Sequence, residues 1–371
     1  MRSFSRPSRF TGSLGLALTL FVVAAMPSQA QDRVSAERQG IDLDSGSSAT
    51  QVHTGTPVSG SLENGLLLIP ESTNDRVMAF DPATGDLVNA DFIPADPANL
   101  STPIQAILAA DGNSILVSDQ IEDVVQQYDL NGAYLGVFAP AGGVDNSILD
   151  NVRGIALRPN GNLLVTVGSG SNDDAVAEFD TGGNHVGNFV ANGAGGLDSP
   201  FDVLPRAGDY LVGGITSDKI HAYDLTGAPG PDFAAVDSFP EQLAQTTSGN
   251  VLVGNFLGTQ EGVMEFTAGG SLVGVYDPPG LGGYRGVYEL PNGNILTTNG
   301  NGVHEIDRLG NLVETKVSGV SARFISHARR ASLPDYVAVP AMRPGLVALL
   351  ALLAGLLGVG GLIAFKRRST A

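Results

Sequence analysis

The sequence predicts an all-β fold, a six-bladed β-propeller with four strands in each blade. Three observations predict it. A polar turn followed by an apolar strand recurs six times, and the turn glycines (65, 112, 161, 208, 249 and 293) stand 41 to 49 residues apart. No segment of the repeats carries helical periodicity, and the density of turns forbids long helices. Four strands per repeat at this period is the mark of a propeller and not of a helical solenoid. A β-helix would need shorter coils, and a β-sandwich would not repeat six times.

The recurring unit reads Glu63-Asn64-Gly65 then LLLIP, Asp111-Gly112-Asn113 then SILVSD, and Asn160-Gly161-Asn162 then LLVTV. Ala207-Gly208-Asp209 then YLVGG, Ser248-Gly249-Asn250 then VLVGN, and Asn292-Gly293-Asn294 then ILTTN complete it. Asn-Gly and Asp-Gly supply the positive φ angles of tight hairpins. A second unit follows each copy, from RVMAFD-PATG-DLV in the first to GVHEID-RLG-NLVETKV in the last. In five of the six an Asp (81, 129, 180, 224, 307) ends one strand before a Gly-containing turn, and Thr267 replaces it once. These are strands c and d of a blade.

The third unit precedes the polar turns and has only five copies there: TPIQAILAA, NVRGIALRP, SPFDVLPRA, FPEQLAQTT and GYRGVYELP. The sixth stands at the far end, in Val320 to His327. Strand a of the first blade is therefore expected from the C-terminal end of the repeats, closing the ring and removing its open edges. The wording of these units, Arg-Gly or Pro, an apolar stretch, Asp/Asn-Gly-Asn, Leu-Val and a c strand ending in Tyr/Phe-Asp, resembles NHL-type repeats over residues 63–328. That resemblance implies architecture and not activity.

The first 30 residues have the three parts of a secretory signal: Arg2, Arg6 and Arg9, an apolar run from Leu14 to Ala25, and small residues in Pro27-Ser28-Gln29-Ala30. A retained N-terminal anchor is the competing reading. Residues 31–62 are polar and aperiodic, a flexible lead. Residues 63–330 make the propeller, and 331–344 a Pro-containing linker. Gly345 to Phe365 is a 21-residue stretch without a charge, enough to cross about 30 Å of hydrocarbon as a helix. Lys366, Arg367 and Arg368 in the tail at 366–371 would stay in the cytoplasm, leaving the rest outside. Val339-Pro340-Ala341-Met342-Arg343-Pro344-Gly345, the span and the basic end together resemble C-terminal sorting signals of the PEP-CTERM and IPTL-CTERM type. Val339, Pro340 and Pro344 are the matching motif positions. Pro-Glu-Pro is absent, and Ala341-Met342-Arg343 replaces a Thr-Leu-Ser-like stretch. The resemblance implies a membrane-embedded sorting enzyme as partner, in an organism that makes extracellular polysaccharide; a plain anchor is the alternative.

Seven of the 20 Lys and Arg lie in the signal or from Arg343 onward, leaving 13 against 38 Asp and Glu. So acidic a chain argues against nucleic acid or an anionic membrane surface as a partner. There is no cysteine, so a packed core and not disulfides must carry stability.

Chemistry is expected where the innermost strands line the channel. The six copies align Arg323, Ile104, Arg153, Phe201, Glu241 and Arg285, and then Phe324, Gln105, Gly154, Asp202, Gln242 and Gly286. Arg153, Arg285 and Arg323 read in one of two ways: as a mouth gripping a carboxylate or acidic sugar with forked contacts, or as braces paired with Glu241 and Asp202. With Gln105 and Gln242 these are the ligand-binding candidates. His327 lies in an innermost strand and is the one candidate general base. His221 and His304 share a place in strand c that reads as packing. His and Cys give no metal site. Asp42 with Asp44, and the loop Ser171-Asn172-Asp173-Asp174, are oxygen-rich enough for calcium but match no EF-hand. There is no G-x-S-x-G elbow and no P-loop. The absence of Trp weakens a sugar-stacking platform.

The expectation is an exported, surface-displayed, non-catalytic propeller that binds an extracellular protein, glycan or matrix partner. The alternative is a lyase or lactonase with a divalent metal in the channel.

Overall fold

The structure, a computed structural model, describes residues 62–330. The signal at 1–30, the lead, the linker, the apolar stretch at 345–365, the sorting motif and Asp42 with Asp44 lie outside the described residues. Among the described residues no helix is long and apolar enough to cross a membrane.

Six four-stranded antiparallel sheets form the ring. Blade 1 pairs β1 (Leu66–Glu71), β2 (Arg76–Phe80) and β3 (Leu87–Ile93) with the last strand, β24 (Ser326–Ala328). Blade 2 is β4 (Pro103–Leu108), β5 (Ser114–Asp119), β6 (Val124–Asp129) and β7 (Tyr134–Ala139). Blade 3 is β8 (Val152–Leu157), β9 (Leu163–Val167), β10 (Ala175–Phe179) and β11 (His185–Val190). Blade 4 is β12 (Pro200–Pro205), β13 (Tyr210–Gly214), β14 (Lys219–Tyr223) and a two-residue β15 (Ala234–Ala235). Blade 5 is β16 (Pro240–Gln245), β17 (Val251–Asn255), β18 (Gly262–Phe266) and β19 (Leu272–Tyr276). Blade 6 is β20 (Val287–Glu289), β21 (Ile295–Asn299), β22 (Gly302–Ile306) and β23 (Leu312–Ser318).

The expected closure is present. Leu66, Leu67 and Leu68 of β1 face Ala328, His327 and Ser326 of β24, and Glu71 bridges to Ala322. The Arg330 amide then donates to the Leu62 carbonyl at 2.9 Å, so both ends of the described chain leave from one spot.

Six apolar clusters sit between successive blades, because alternate strand residues face the neighbouring sheet. Leu116 and Val125 meet Leu163 and Phe179 between blades 2 and 3. Leu67 and Met78 meet Leu296 and Val303 where blade 6 meets blade 1. A seventh cluster fills the channel.

Two repeated polar devices join the blades. An acidic side chain in a b–c turn accepts the amide just before the next blade's first strand. Asp75 takes Thr102 at 3.1 Å, Asp123 takes Asn151 at 2.6 Å, Asp174 takes Ser199 at 2.7 Å and Glu261 takes Gly283 at 2.8 Å. The second device is the c–d turn. Asp81, Asp129, Asp180, Asp224 and Asp307 each accept amides from their own turn, and Thr267 does the same through its hydroxyl. Hydrogen bonds within the turn hold these carboxyls below the usual range, led by the Asn184 amide at Asp180, the Thr226 hydroxyl at Asp224 and the Asn311 side chain at Asp307. The glycine of such a turn packs on the previous blade: a Cβ at Gly183 would fall on the Phe138 carbonyl oxygen, and one at Gly227 on that of Phe189. Positive φ appears at five of the six a–b turn glycines, Gly208 being the exception.

Candidate functional site

Strand a of each blade begins after a residue held at positive φ: Thr102, Asn151, Ser199, Phe239 and Gly283 in blades 2 to 6. In blades 2 to 5 its first residues also break register with strand b. A bulge of this kind re-aims side chains, and here it turns successive positions into two layers across the channel.

The first layer closes one end. Arg153, Arg285 and Arg323 are at most 1% exposed, so they form no open anion-binding mouth. Arg153 Nη1 donates to Ser199 Oγ and the Pro200 carbonyl at 3.0 Å each, and its guanidinium lies 4.6 Å from the Phe201 ring centre. Arg285 donates to Ser321 Oγ at 2.7 Å, lies over Phe256 and stands 3.9 Å from the buried Glu241 carboxylate. Arg323 donates to Ser72 Oγ at 3.2 Å. Each arm reaches an adjacent blade or connecting segment, which braces the ring. Between them Ile104, Phe201, Ile215, Phe239, Phe256 and Phe324 form an apolar plug. The Phe201 ring stands 5.7 Å from Phe239 and 5.8 Å from Phe324.

The second layer is polar and joins non-adjacent parts of the chain. Gln105 accepts the Ile155 amide at 2.7 Å and donates to Ser326 Oγ at 3.2 Å. Gln242 accepts the amides of Val287 and Ile325, each at 2.9 Å, and donates to the Ile325 carbonyl at 2.7 Å. Asp202 accepts the amides of Val203 and Leu243, each at 2.8 Å. Burial pushes its carboxyl up to about 7, against the pull of those two amides. Its partners are thus backbone amides. Gly154 makes the approach feasible, since a Cβ there would stand 2.5 Å from Asp202 Oδ1.

This layer floors a cavity of about 1060 Å³ that opens on the a–b turn side. Its walls are apolar, with Ile107, Leu157, Leu204 and Leu243 prominent, and Tyr288, Ser326, His327, Arg329 and Arg330 lie towards the closing strand. The sequence register found the floor. It missed the walls, whose signal was weak: they are the next inward residues of the same strands, in unremarkable apolar positions.

His327 is exposed on this wall, its ring 6.1 Å from that of Tyr288. Partial burial and the cation of Arg329 lower its pKa. His221 and His304 are buried in strand c, at 2% exposure each, away from the cavity lining. The loop Ser171 to Asp174 is used internally: Asn172 donates to the Ile148 carbonyl at 3.0 Å, and Asp174 is one of the inter-blade latches. Among the described residues no three His, Asp or Glu gather where a metal ion could be held.

No family model matches this chain, and no curated protein does. Solved structures share the fold. A chain of the nidogen/laminin complex is 17% identical over 71% of this chain and 98% of its own, with a TM-score of 0.58. A candidate gluconolactonase is 16% identical over 61% and 81%, at 0.50. Virginiamycin B lyase from Staphylococcus aureus is 10% identical over 74% and 94%, at 0.51. The protein is thus an all-β six-bladed propeller that shares its fold with these structures.

Proposed function

We propose that this protein is an exported binding propeller that takes an extracellular protein, glycan or matrix partner in the cavity on its a–b face. In this reading residues 1–30 direct export. The span at 345–365 then anchors the chain at the cell surface, unless a sorting enzyme acting at Val339 to Pro344 releases it. The observation that carries the reading is the cavity: about 1060 Å³, walled by apolar side chains over a floor of amide and carboxyl groups. Concave, largely apolar sites with a few fixed polar groups are where ligands usually bind.

A lyase or lactonase working through a divalent ion fits this cavity poorly. Asp202 is the one carboxylate of the floor, and its two oxygens accept backbone amides. Glu241 is buried beside Arg285 in the first layer.

The test is retention of the mature full-length protein on extracellular polysaccharide and on extracellular protein from the producing organism. Ala110 lines the cavity and is exposed, and Ala110→Trp should abolish retention while leaving the unfolding midpoint within a few degrees. Absence of retention by the unaltered protein sinks the binding reading. Lactone hydrolysis that needs added divalent ion and is lost on His327→Ala would put the enzyme in its place.

A further inference from the structure

On the opposite face, blade 4 carries an arrangement that the other blades lack. The b–c turn between β13 and β14 brings Ser217 Oγ to 2.9 Å from His221 Nε2. The other nitrogen of that ring, Nδ1, lies 3.0 Å from Asp232 Oδ1. The carboxylate approaches off the N–H axis, so it acts on the ring mainly through its charge. We propose that Ser217, His221 and Asp232 form a nucleophile, base and carboxylate able to transfer acyl groups from short esters. This site is separate from the binding cavity, so either reading can fail without the other.

Local sequence builds the arrangement. Pro229-Gly230-Pro231-Asp232 cannot run as a regular outer strand, because proline removes ladder donors. Strand β15 is accordingly cut to two residues, and a loop delivers Asp232. A Cβ on Gly214 would fall on Ser217 Oγ and stand 3.4 Å from His221 Nε2, so only glycine lets the turn fold over the ring. Ser217 is half-buried, His221 is 2% exposed and Asp232 35%. The serine is therefore partly open to solvent while the base is shielded.

Blade 6 provides an internal comparison. His304 stands at the same place in strand c, with Nε2 3.1 Å from Asn299 Oδ1 and Nδ1 3.1 Å from Thr315 Oγ1. There the imidazole merely ties a turn to the outer strand. Blade 4 keeps the bridge but puts a hydroxyl at one nitrogen and a carboxylate at the other. A carboxylate beside Nδ1 favours the tautomer protonated there, freeing Nε2 to accept from Ser217. Burial lowers the His221 pKa, which keeps the ring neutral and able to take a proton. Against the upward push of partial burial, Lys219 Nζ at 2.8 Å holds the Asp232 carboxyl below its usual range.

The chemistry balances as ester hydrolysis. Oγ attacks the carbonyl carbon while its proton passes to Nε2, and the leaving alkoxide takes that proton as the C–O bond breaks. Water then gives a proton to Nε2 and attacks the acyl-serine, and Oγ regains the proton as the acid departs. Asp198, Asp218 and Asp232 lie in or beside the segments that meet at this turn, against the one cation Lys219. This acidic setting selects uncharged or cationic esters over anionic ones.

The full-length protein is treated with an uncharged fluorophosphonate probe, and the adduct is mapped by peptide mass spectrometry. The expected result is a single adduct on Ser217, absent from urea-unfolded protein and formed about 10²-fold or more slowly in His221→Asn, the usual scale of a lost general base. Hydrolysis of p-nitrophenyl acetate should fall in parallel and vanish in Ser217→Ala. No adduct on Ser217 of the folded, unaltered protein overturns the proposal, whatever the variants do. So does an adduct that persists equally after unfolding.

Discussion

Replacing Gln242 by leucine tests the account of the channel floor. The side chain is 3% exposed and serves three backbone groups, the amides of Val287 and Ile325 and the Ile325 carbonyl. It thereby ties blade 5 to blade 6 and to the strand that closes the ring. Leucine keeps nearly the same volume and leaves all three groups without that partner. An orphaned buried polar group costs about 1–3 kcal/mol. Because Gln242 lines an open cavity, water can reach part of the wound, so the lower half of the range applies to each of the three groups and the loss should be about 3–6 kcal/mol. For a domain of this size that is a fall of roughly 10 °C in midpoint. Urea unfolding followed by far-UV circular dichroism reads it directly, with Gln245→Leu as control. Gln245 is exposed, its single bond to the Gly249 carbonyl is 3.5 Å, and its loss should cost under about 0.5 kcal/mol. If Gln242→Leu costs no more than this control, the floor is not what holds blades 5, 6 and 1 together.

Three further outcomes follow from the same structure. Glu241→Gln removes the carboxylate beside Arg285 where both side chains are fully buried and should cost about 3 kcal/mol or more, read from the urea midpoint; an unchanged midpoint would show that the pair contributes nothing. Gly183→Ala adds both a strained φ of +76° and a collision with the Phe138 carbonyl, whereas Gly112→Ala, at φ +69° with open space around it, adds only the strain. The first should lose at least ~2 kcal/mol and the second about 1, so equal losses in calorimetry would remove the inter-blade contact from the account. His304 has its pKa lowered by burial to about 4 from 6.5. The unfolded chain therefore binds a proton that the fold refuses, and stability falls as pH drops from 6.5 to 4, by about 3 kcal/mol from this group alone. His304→Gln should flatten that part of the urea-midpoint profile, and parallel profiles would contradict a neutral buried ring.

Much of the architecture was legible because it is written in local chemistry. Asn160-Gly161-Asn162 makes a tight turn wherever it stands, and Asp180 caps the turn that follows it without help from another blade. Repetition of such signals gave the blade count, and the absence of a strand-a copy before the first blade located the closing strand. The inter-blade latches could have been read too, since Asp75, Asp123 and Asp174 recur at one place in the b–c turn. The roles of the arginines could not. Arg153, Arg285 and Arg323 fall in the register of channel-facing residues, but exposure at that register depends on what fills the ring. Phe239 and Phe256, the partners that complete the plug, carry no signal linking them to residues a hundred positions away.

The sequence by itself determined that this chain is a closed ring of six four-stranded blades, since period, turn chemistry and the displaced first strand are properties of neighbouring residues. It also placed Gln105, Asp202 and Gln242 in one layer. Only the tertiary structure decided that this layer is a floor, that the arginine end is shut and that the opposite end holds a cavity. It alone brought Ser217, His221 and Asp232 together. The physical reason is that burial, ion pairing and hydrogen-bond reach depend on distances between blades, and such distances exist only once the ring has closed.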